Sequence, residues 1–204
     1  MEEPHQRHGL VQESQERLWS PSRGLSRAPL GHVATRVRDS RYGLPMTELP
    51  IFDARGGSLV SFVRPDRTSL VQHDEPALFD CSLVVVEFGE RVLFGFNVSR
   101  QQWELPGGTV EVGESARDAA LRELYEETSI RGSEITLVAH AEFTFAGEVK
   151  NFRAAVFAVT LTSAPKPVVS EELNSFVWWD PTGELIVGLS PLDAEVARRC
   201  FFHE

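Results

Sequence analysis

Residues 104–130, ELPGGTVEVGESARDAALRELYEETSI, contain the most informative pattern of this chain. The glycine pair Gly107–Gly108 leads through a short run to a segment with helical periodicity. On an α-helix, positions i, i+3 and i+4 share a face, so Glu123, Glu126 and Glu127 project together, and we expect Glu126 and Glu127 to be exposed in a cleft. Because no Lys or Arg at matching spacing neutralises all three, the pattern predicts a site for a hard divalent cation such as Mg²⁺, which takes oxygen ligands. A solvated acidic helix face is the alternative interpretation.

Fixed gaps separate the most informative positions of this stretch. Five residues lie between Gly108 and Glu114, and seven more lie between Glu114 and the run Arg122–Glu127. This spacing resembles the signature box of Nudix hydrolases, and the run Trp103–Gly108 before it looks like the branch that cleaves (d)NTPs, including oxidised guanine nucleotides. The family's box closes with a glycine and an aliphatic residue, whereas this chain has Ser129–Ile130, so one position departs.

The resemblance assigns a role to each polar position of the box. It implies a set of metal ligands: the side chains of Glu123, Glu126 and Glu127 and the carbonyl oxygen of Gly108. Glu123 has an alternative role as the base that takes a proton from water, since closely spaced carboxylates can have separated pKa values. Arg122 is expected to orient the carboxylates through charge-assisted hydrogen bonds. Glu114 either binds a further metal ion or braces the loop.

Two further groups of candidates lie outside the box. Family members often place another catalytic carboxylate in a loop before a late tryptophan-bearing strand, and Glu172, ahead of Trp178 and Trp179, is our candidate; a solvated acidic turn is the alternative. The substrate contacts that we predict come from an arginine, two aromatic residues and a glycine: Arg100, Trp103, Gly107 and Phe145. Each aromatic residue has an alternative place in the core, and the arginine an alternative place on the surface.

Length and charge limit the possible functions. The 204 residues suit one sizeable core, and no apolar run reaches the roughly 18–20 residues that a membrane helix needs. The N-terminus has no apolar signal core, so the cytoplasm is the expected location. The net charge of −10 disfavours membrane and nucleic-acid partners, with RNA 5′ ends as the exception. Two cysteines without clustered histidines exclude a structural zinc site.

The sequence divides near residue 46. Residues 1–45 lack periodic aliphatic positions and carry seven arginines against five acidic residues, a charge of +2. We predict that they form a disordered extension and that residues 46–204 form the Nudix domain. Met46 is the only methionine after Met1, so translation starting at Met46 is an open alternative.

Strand-like runs flank one well-marked helix and precede a terminal helix. The predicted strands include Ser58–Val63 and Cys81–Phe88, and the terminal helix covers residues 191–202. Ser115 is the expected N-cap of the central helix, and Ser129 stands where a left-handed C-terminal residue usually is glycine. The fold class expected is α/β (α+β): a mixed β-sheet between helices, in agreement with the α/β/α sandwich that the resemblance implies.

The function that these features favour is a Mg²⁺-dependent pyrophosphohydrolase, with Mn²⁺ as an alternative cation. Its expected substrate is a nucleoside triphosphate, such as an oxidised nucleotide like 8-oxo-dGTP, cleaved to the monophosphate and diphosphate. The alternatives are a 5′-triphosphate RNA pyrophosphohydrolase and a non-catalytic module that senses a nucleotide. A homodimer is the expected assembly, because homodimers are common among Nudix proteins.

Overall fold

A computed structural model describes residues 37–38, 45–65, 79–132 and 134–201. The predicted disorder of residues 1–45 falls almost entirely outside these ranges. The elements in chain order are β1 Val37–Arg38, β2 Pro45–Met46, β3 Ile51–Phe52, β4 Ser58–Val63, β5 Cys81–Phe88, β6 Arg91–Asn97, β7 Gln102–Glu104, β8 Gly107–Thr109, α1 Ala116–Thr128, β9 Thr136–Thr144, β10 Phe152–Thr160, β11 Leu173–Trp179 and α2 Pro191–Phe201.

Nine of the described strands form one mixed sheet. Its order is β11-β6-β5-β10-β9-β4-β3, with β7 added beside β6 and β8 beside β5. β5 and β10 run parallel, and the other pairs in this sheet are antiparallel. β1 and β2 form a separate antiparallel pair. The short strand β8 lies against the start of β5, with Gly108 opposite Ser82, and this pairing brings the glycine pair to the centre of the sheet.

Of the helices in the described part of the chain, one packs on each face of the sheet. Along β5, Val84 and Val86 point to the face on which Ala120 and Leu124 of α1 pack, whereas Val85 points to the opposite face. The opposite face packs against apolar residues of α2: Leu192, Ala194, Val196, Ala197 and Cys200. The expected α/β/α sandwich with a mixed sheet is confirmed. Neither described helix has the length and hydropathy that crossing a bilayer requires.

The ends of α1 follow the local chemistry predicted from the sequence. The Ser115 hydroxyl accepts a hydrogen bond from the Asp118 backbone N–H at 3.1 Å, which satisfies one of the free N–H groups of the first turn. Ser129 adopts a left-handed conformation with φ 59°, and its N–H donates to the Tyr125 carbonyl at 2.8 Å. A serine in this conformation costs about 1 kcal/mol relative to glycine. α1 is therefore fixed at both ends, and the positions of its polar face are set.

Candidate active site

The glycine pair lets two groups approach β8 closely, the Glu123 side chain of α1 and the backbone of β5. A Cβ atom at Gly108 would lie 2.2 Å from Oε1 of Glu123, and one at Gly107 would lie 2.3 Å from the carbonyl oxygen of Ser82. Both distances are shorter than real Cβ contacts, so a larger residue at Gly108 would displace the Glu123 carboxylate, and one at Gly107 would push β8 away from the backbone of β5. Gly108 thus leaves room for the Glu123 carboxylate beside β8, and Gly107 leaves room for the carbonyl of Ser82.

Arg122 connects the carboxylates on the exposed side of the site. Its Nε and Nη2 atoms donate to the two carboxylate oxygens of Glu114 at 3.0 and 2.9 Å, a bidentate pair. Its Nη1 atom donates to Glu123 at 2.8 Å and lies 3.5 Å from Glu126. These hydrogen bonds from Arg122 hold the pKa of Glu114 below its usual value. Arg122 thus has the geometry of the orienting residue that the sequence predicts, and Glu114 is placed as a brace for it.

Glu127 lies on the inner side of the same helix. Its side chain is only 5% exposed, and its Oε2 atom accepts a hydrogen bond from the Gly107 N–H at 2.9 Å. Burial raises the pKa of Glu127 to about 8, and the negative charges of Glu123, Glu172 and Glu104 act in the same direction. The expectation that Glu127 is exposed in a cleft is wrong, because α1 packs this position against β8.

The three glutamates of the box therefore differ in their surroundings. The Glu126 side chain is 59% exposed, whereas that of Glu123 is 15% exposed and sits against Gly108. Among the described residues, no three Asp, Glu, His or Cys side chains are gathered closely enough to hold a metal ion. The metal ligands named from the sequence remain a prediction. The structure brings together the buried carboxylate of Glu127, the carboxylates of Glu114 and Glu123 that bond to Arg122, and the backbone of β8.

A cavity of about 540 Å³ opens beside this carboxylate cluster. Gly107, Gly108 and Thr109 form one side of it, and three phenylalanines form another side: Phe143, Phe145 and Phe152. The rings of Phe143 and Phe145 are nearly parallel with centroids 6.3 Å apart, and Phe152 meets Phe145 edge to face at 5.4 Å. We call this space the aromatic cavity. It combines an apolar wall of aromatic rings with direct access to β8, and such a lining suits a planar ring that carries an anionic group.

Polar groups also line the aromatic cavity. Arg100 donates to Glu104 at 2.9 Å, and Gln102 donates to the other oxygen of Glu104 at 2.6 Å. Asp193, in the first turn of α2, also lines the cavity. Burial and the negative charge of Glu104 raise the pKa of Asp193 to about 7, against opposing hydrogen bonds from Ser190 and from the backbone of Leu105. The cavity therefore offers both a carboxylate acceptor and a carboxyl group that holds its proton up to neutral pH.

Three of the four predicted substrate contacts line the aromatic cavity, namely Arg100, Gly107 and Phe145. Trp103 does not belong to the described residues that line it. Its ring packs edge to face on Phe96 at 5.2 Å, and its backbone bonds to Gly188 and Ser190.

Sequence reasoning missed other residues of this cavity, among them Glu104, Asp193, Asp53 and Arg55. Glu104 is the first residue of the informative stretch 104–130, but nothing local marks it as a partner of Arg100 and Asp193. The backbone bonds from Trp103 to the segment before α2 create this proximity, and a tertiary contact of this kind leaves no local pattern.

Glu172 reaches the site from a separate part of the chain. It lies just before β11, and its Oε1 atom accepts a hydrogen bond from Nδ2 of Asn97 at 3.0 Å. Its charge contributes to the raised pKa of Glu127, so the two carboxylates are within electrostatic range. The structure therefore brings the carboxylate predicted outside the box towards the carboxylates within it.

Comparison with known proteins shows which protein family has this arrangement of residues. The sequence model of the NUDIX domain matches residues 82–202, which include the box, the strands around it and α2. The chain belongs to the NUDIX family. This result confirms the resemblance drawn from the Gly108-to-Glu127 spacing, and the departure at Ser129 does not remove the chain from the family.

Named relatives of this NUDIX chain fall into two groups. A mutator protein of Mycobacterium tuberculosis, MutT4, is 33% identical over 103 residues, which are 48% of this chain and 42% of the relative. An RNA pyrophosphohydrolase of Sphingopyxis alaskensis is 33% identical over 75 residues, which are 35% of this chain and 48% of the relative. The matches thus span less than half of the length of these curated relatives.

Solved structures share the same fold. The pyrophosphohydrolase BsRppH of Bacillus subtilis, crystallised as a mutant, aligns with a TM-score of 0.52 at 22% identity, over 74% of this chain and 89% of that one. A MutT NUDIX hydrolase of Burkholderia pseudomallei aligns with a TM-score of 0.51 at 22% identity, over 59% of this chain and 95% of that one. At this level of identity the alignments establish the NUDIX fold.

Proposed function

We propose that this NUDIX protein is a Mg²⁺-dependent pyrophosphohydrolase that cleaves a nucleoside triphosphate to the monophosphate and diphosphate. The observation that carries the proposal is the position of the aromatic cavity beside β8 and the carboxylates that Arg122 orders. A base packed against Phe145 would point its phosphates along Gly107–Thr109 towards those carboxylates. An apolar ring site joined to a cation site is the arrangement that a nucleotide requires.

The carboxylates around Glu127 fit a divalent cation. The raised pKa of Glu127 reflects burial among other negative charges, and a cation would offset both effects. In the proposal, Glu123, Glu126 and Glu127 hold the cation together with the carbonyl of Gly108, and Glu114 keeps Arg122 in place. When bound, Mg²⁺ would neutralise charge on the phosphates and favour ionisation of the attacking water. Mn²⁺ prefers the same oxygen ligands.

The chain's own groups have distinct tasks in this proposal. Glu172, or alternatively Glu123, accepts the proton of the water whose oxygen bonds to phosphorus, while the bond from that phosphorus to the bridging oxygen breaks and diphosphate leaves. Phe145 stacks on the base. Arg100 is already paired with Glu104, so in this proposal it does not bind a phosphate. It orients the Glu104 carboxylate, which accepts a hydrogen bond from the edge of the base. Asp193 supplies a hydrogen-bond donor to that edge while it is protonated.

A second substrate class is favoured by two observations. Several relatives, including the one from Sphingopyxis alaskensis, are described as RNA pyrophosphohydrolases. Arg55 lines the cavity and donates to the carbonyl of Arg100, so a cationic group lies near the path that a following nucleotide would take. A 5′-triphosphate RNA is therefore the alternative substrate. A non-catalytic sensing module is disfavoured, because Glu114, Glu123, Glu126 and Glu127 are all retained.

A substrate panel tests the proposed function. Purified protein is assayed with Mg²⁺ for release of phosphate and diphosphate from the dNTPs, 8-oxo-dGTP, ADP-ribose, nucleotide sugars and 5′-triphosphate RNA, with and without EDTA. We expect chelator-sensitive diphosphate release from one or more nucleoside triphosphates. Release from RNA alone, lost when residues 1–45 are deleted, would favour the alternative. Folded protein that is silent on the whole panel would overturn the proposal.

A further inference from the structure

Asn97 occupies a junction of three strands beside the site. It is the last residue of β6 and lies opposite Leu173 of β11 on one side and Gln102 of β7 on the other. Its side chain is only 1% exposed, which is unusual for an amide. A buried amide must find hydrogen-bond partners, because each polar atom left without one costs about 1–3 kcal/mol.

The hydrogen bonds of Asn97 fix which way its amide faces. The Oδ1 atom accepts from the backbone N–H groups of Ser99 and Arg100, each at 3.0 Å, and from the Ser99 hydroxyl at 2.8 Å. Two of these partners are N–H groups that only donate, so Oδ1 must face them. The Nδ2 atom then faces Glu172 and donates to its Oε1 atom at 3.0 Å. The orientation of the amide follows from its partners alone.

The backbone of Glu172 is also held from this junction. The Val98 N–H donates to the Glu172 carbonyl at 3.0 Å. The turn before β11 is closed by Ser170, whose hydroxyl accepts from the Leu173 N–H at 2.9 Å. Glu172 therefore has a fixed backbone, and the hydrogen bond from Asn97 selects the direction of its carboxylate.

We infer that Asn97 is a positioning residue that aims the Glu172 carboxylate at the site and joins it to the turn carrying Arg100. The inference rests on the proposed function, in which Glu172 acts on the attacking water. A purely structural role for Asn97 would lie in the turn at Ser99 and Arg100, and Asp closes such turns as well as Asn. Only the amide also provides a donor to Glu172. The chemical difference between Asn and Asp at this position therefore separates the two roles.

Asn97→Asp is the informative variant. It keeps the acceptor for Ser99 and Arg100, removes the donor to Glu172 and sets two carboxylates against each other. We expect kcat to fall by about 10- to 100-fold, as is typical when a partner that orients an active-site ligand is changed, with KM within about threefold of wild type. Asn174→Asp is the matched control: it makes the same chemical change at an exposed position of β11, and it should leave both constants within about twofold.

A double-mutant cycle with Glu172→Gln shows whether Asn97 acts through Glu172. In the Glu172→Gln background, Asn97→Asp should change kcat by less than about threefold, because the group that it positions is already lost. A second readout does not depend on turnover: the side-chain amide signals of Asn97 in a ¹H–¹⁵N spectrum should shift in Glu172→Ala and not in Asn174→Asp. Thermal unfolding of each variant confirms that it is folded.

Three outcomes would overturn the inference. One is an equal loss of kcat on Asn97→Asp in both backgrounds, and another is a loss confined to KM. The third is an Asn97 amide signal that Glu172→Ala leaves unchanged. Each of these leaves the proposed function intact if the wild type is active. A folded wild-type protein without chelator-sensitive activity would instead overturn the proposed function, and this inference with it.

Discussion

Replacing the buried Glu127 by glutamine should stabilise the metal-free protein at alkaline pH. Burial and neighbouring carboxylates raise the pKa of Glu127 from the usual 4.5 to about 8 in the folded state. Between these two values the folded state binds the proton and the unfolded state has released it. The free energy of unfolding therefore falls as the pH rises from about 4.5 to about 8, and it changes no further from this group at higher pH.

The magnitude follows from the size of the pKa shift. One pKa unit corresponds to about 1.4 kcal/mol, so ionised Glu127 costs the fold on the order of 5 kcal/mol above pH 8. This is a large part of the 5–15 kcal/mol that typically stabilises a domain. Glutamine cannot ionise, and its side-chain oxygen still accepts the Gly107 N–H. The stability of Glu127→Gln relative to wild type should therefore grow by several kcal/mol from pH 5 to pH 9.

Urea unfolding in EDTA at pH 5, 7 and 9, followed by tryptophan fluorescence, measures this difference. The control is Glu126→Gln, which makes the same chemical change on the exposed side of α1. Mg²⁺ should then stabilise the wild type at pH 9 and have a much smaller effect on Glu127→Gln. A difference between Glu127→Gln and wild type that stays constant from pH 5 to pH 9 would show that the fold does not raise the pKa of Glu127.

Further predictions concern the aromatic cavity and the end of α1. Because the pKa of Asp193 is raised to about 7, the wild-type KM should increase by roughly tenfold above pH 7, where Asp193 loses its proton and one hydrogen bond to the substrate is lost. Asp193→Asn keeps a hydrogen-bond donor, so its KM should change little with pH. Profiles of KM against pH that run parallel in the two proteins would contradict this prediction. Phe145→Ala should raise KM by about tenfold with kcat within twofold, because stacking on a base contributes about 1–3 kcal/mol, whereas Val149→Ala in the exposed turn nearby should change neither. Ser129→Gly should raise Tm by about 2–4 °C at unchanged activity, because glycine adopts the left-handed conformation at φ 59° without strain. Ser129→Ala should give no such gain. Equal melting temperatures of Ser129→Gly and wild type would show that the strain is absent.

The elements with strong local patterns were predictable from the sequence. Ser58–Val63 and Cys81–Phe88 are the observed bounds of β4 and β5, because β-branched and apolar residues at strand length leave few alternatives. The helix of the box was equally clear, since Ser115 caps its start and apolar positions face the sheet. The residues that define the family lie on these elements, and the family could therefore be inferred from their spacing.

Features that depend on tertiary contacts were not predictable. The segment around residues 97–102 reads as a polar loop, yet β6 extends to Asn97 and β7 begins at Gln102, because each strand end finds a partner across the turn. Glu126 and Glu127 are adjacent identical residues in the sequence, and only the packing of the helix on β8 shows that Glu127 is buried whereas Glu126 is exposed. The position of Asp193 beside Glu104 likewise depends on where α2 crosses the sheet.

We propose that the box carboxylates serve the cleavage of a nucleoside triphosphate. Diphosphate release by three proteins under identical conditions tests this role most directly. Wild type, Glu126→Gln and the matched control Glu134→Gln, whose residue is exposed outside the site, are assayed with Mg²⁺ and with EDTA. We expect chelator-sensitive release by wild type and Glu134→Gln, and a loss of at least about 100-fold in Glu126→Gln, because a charge at the reacting centre is removed. Release by Glu126→Gln at the wild-type rate would contradict this role.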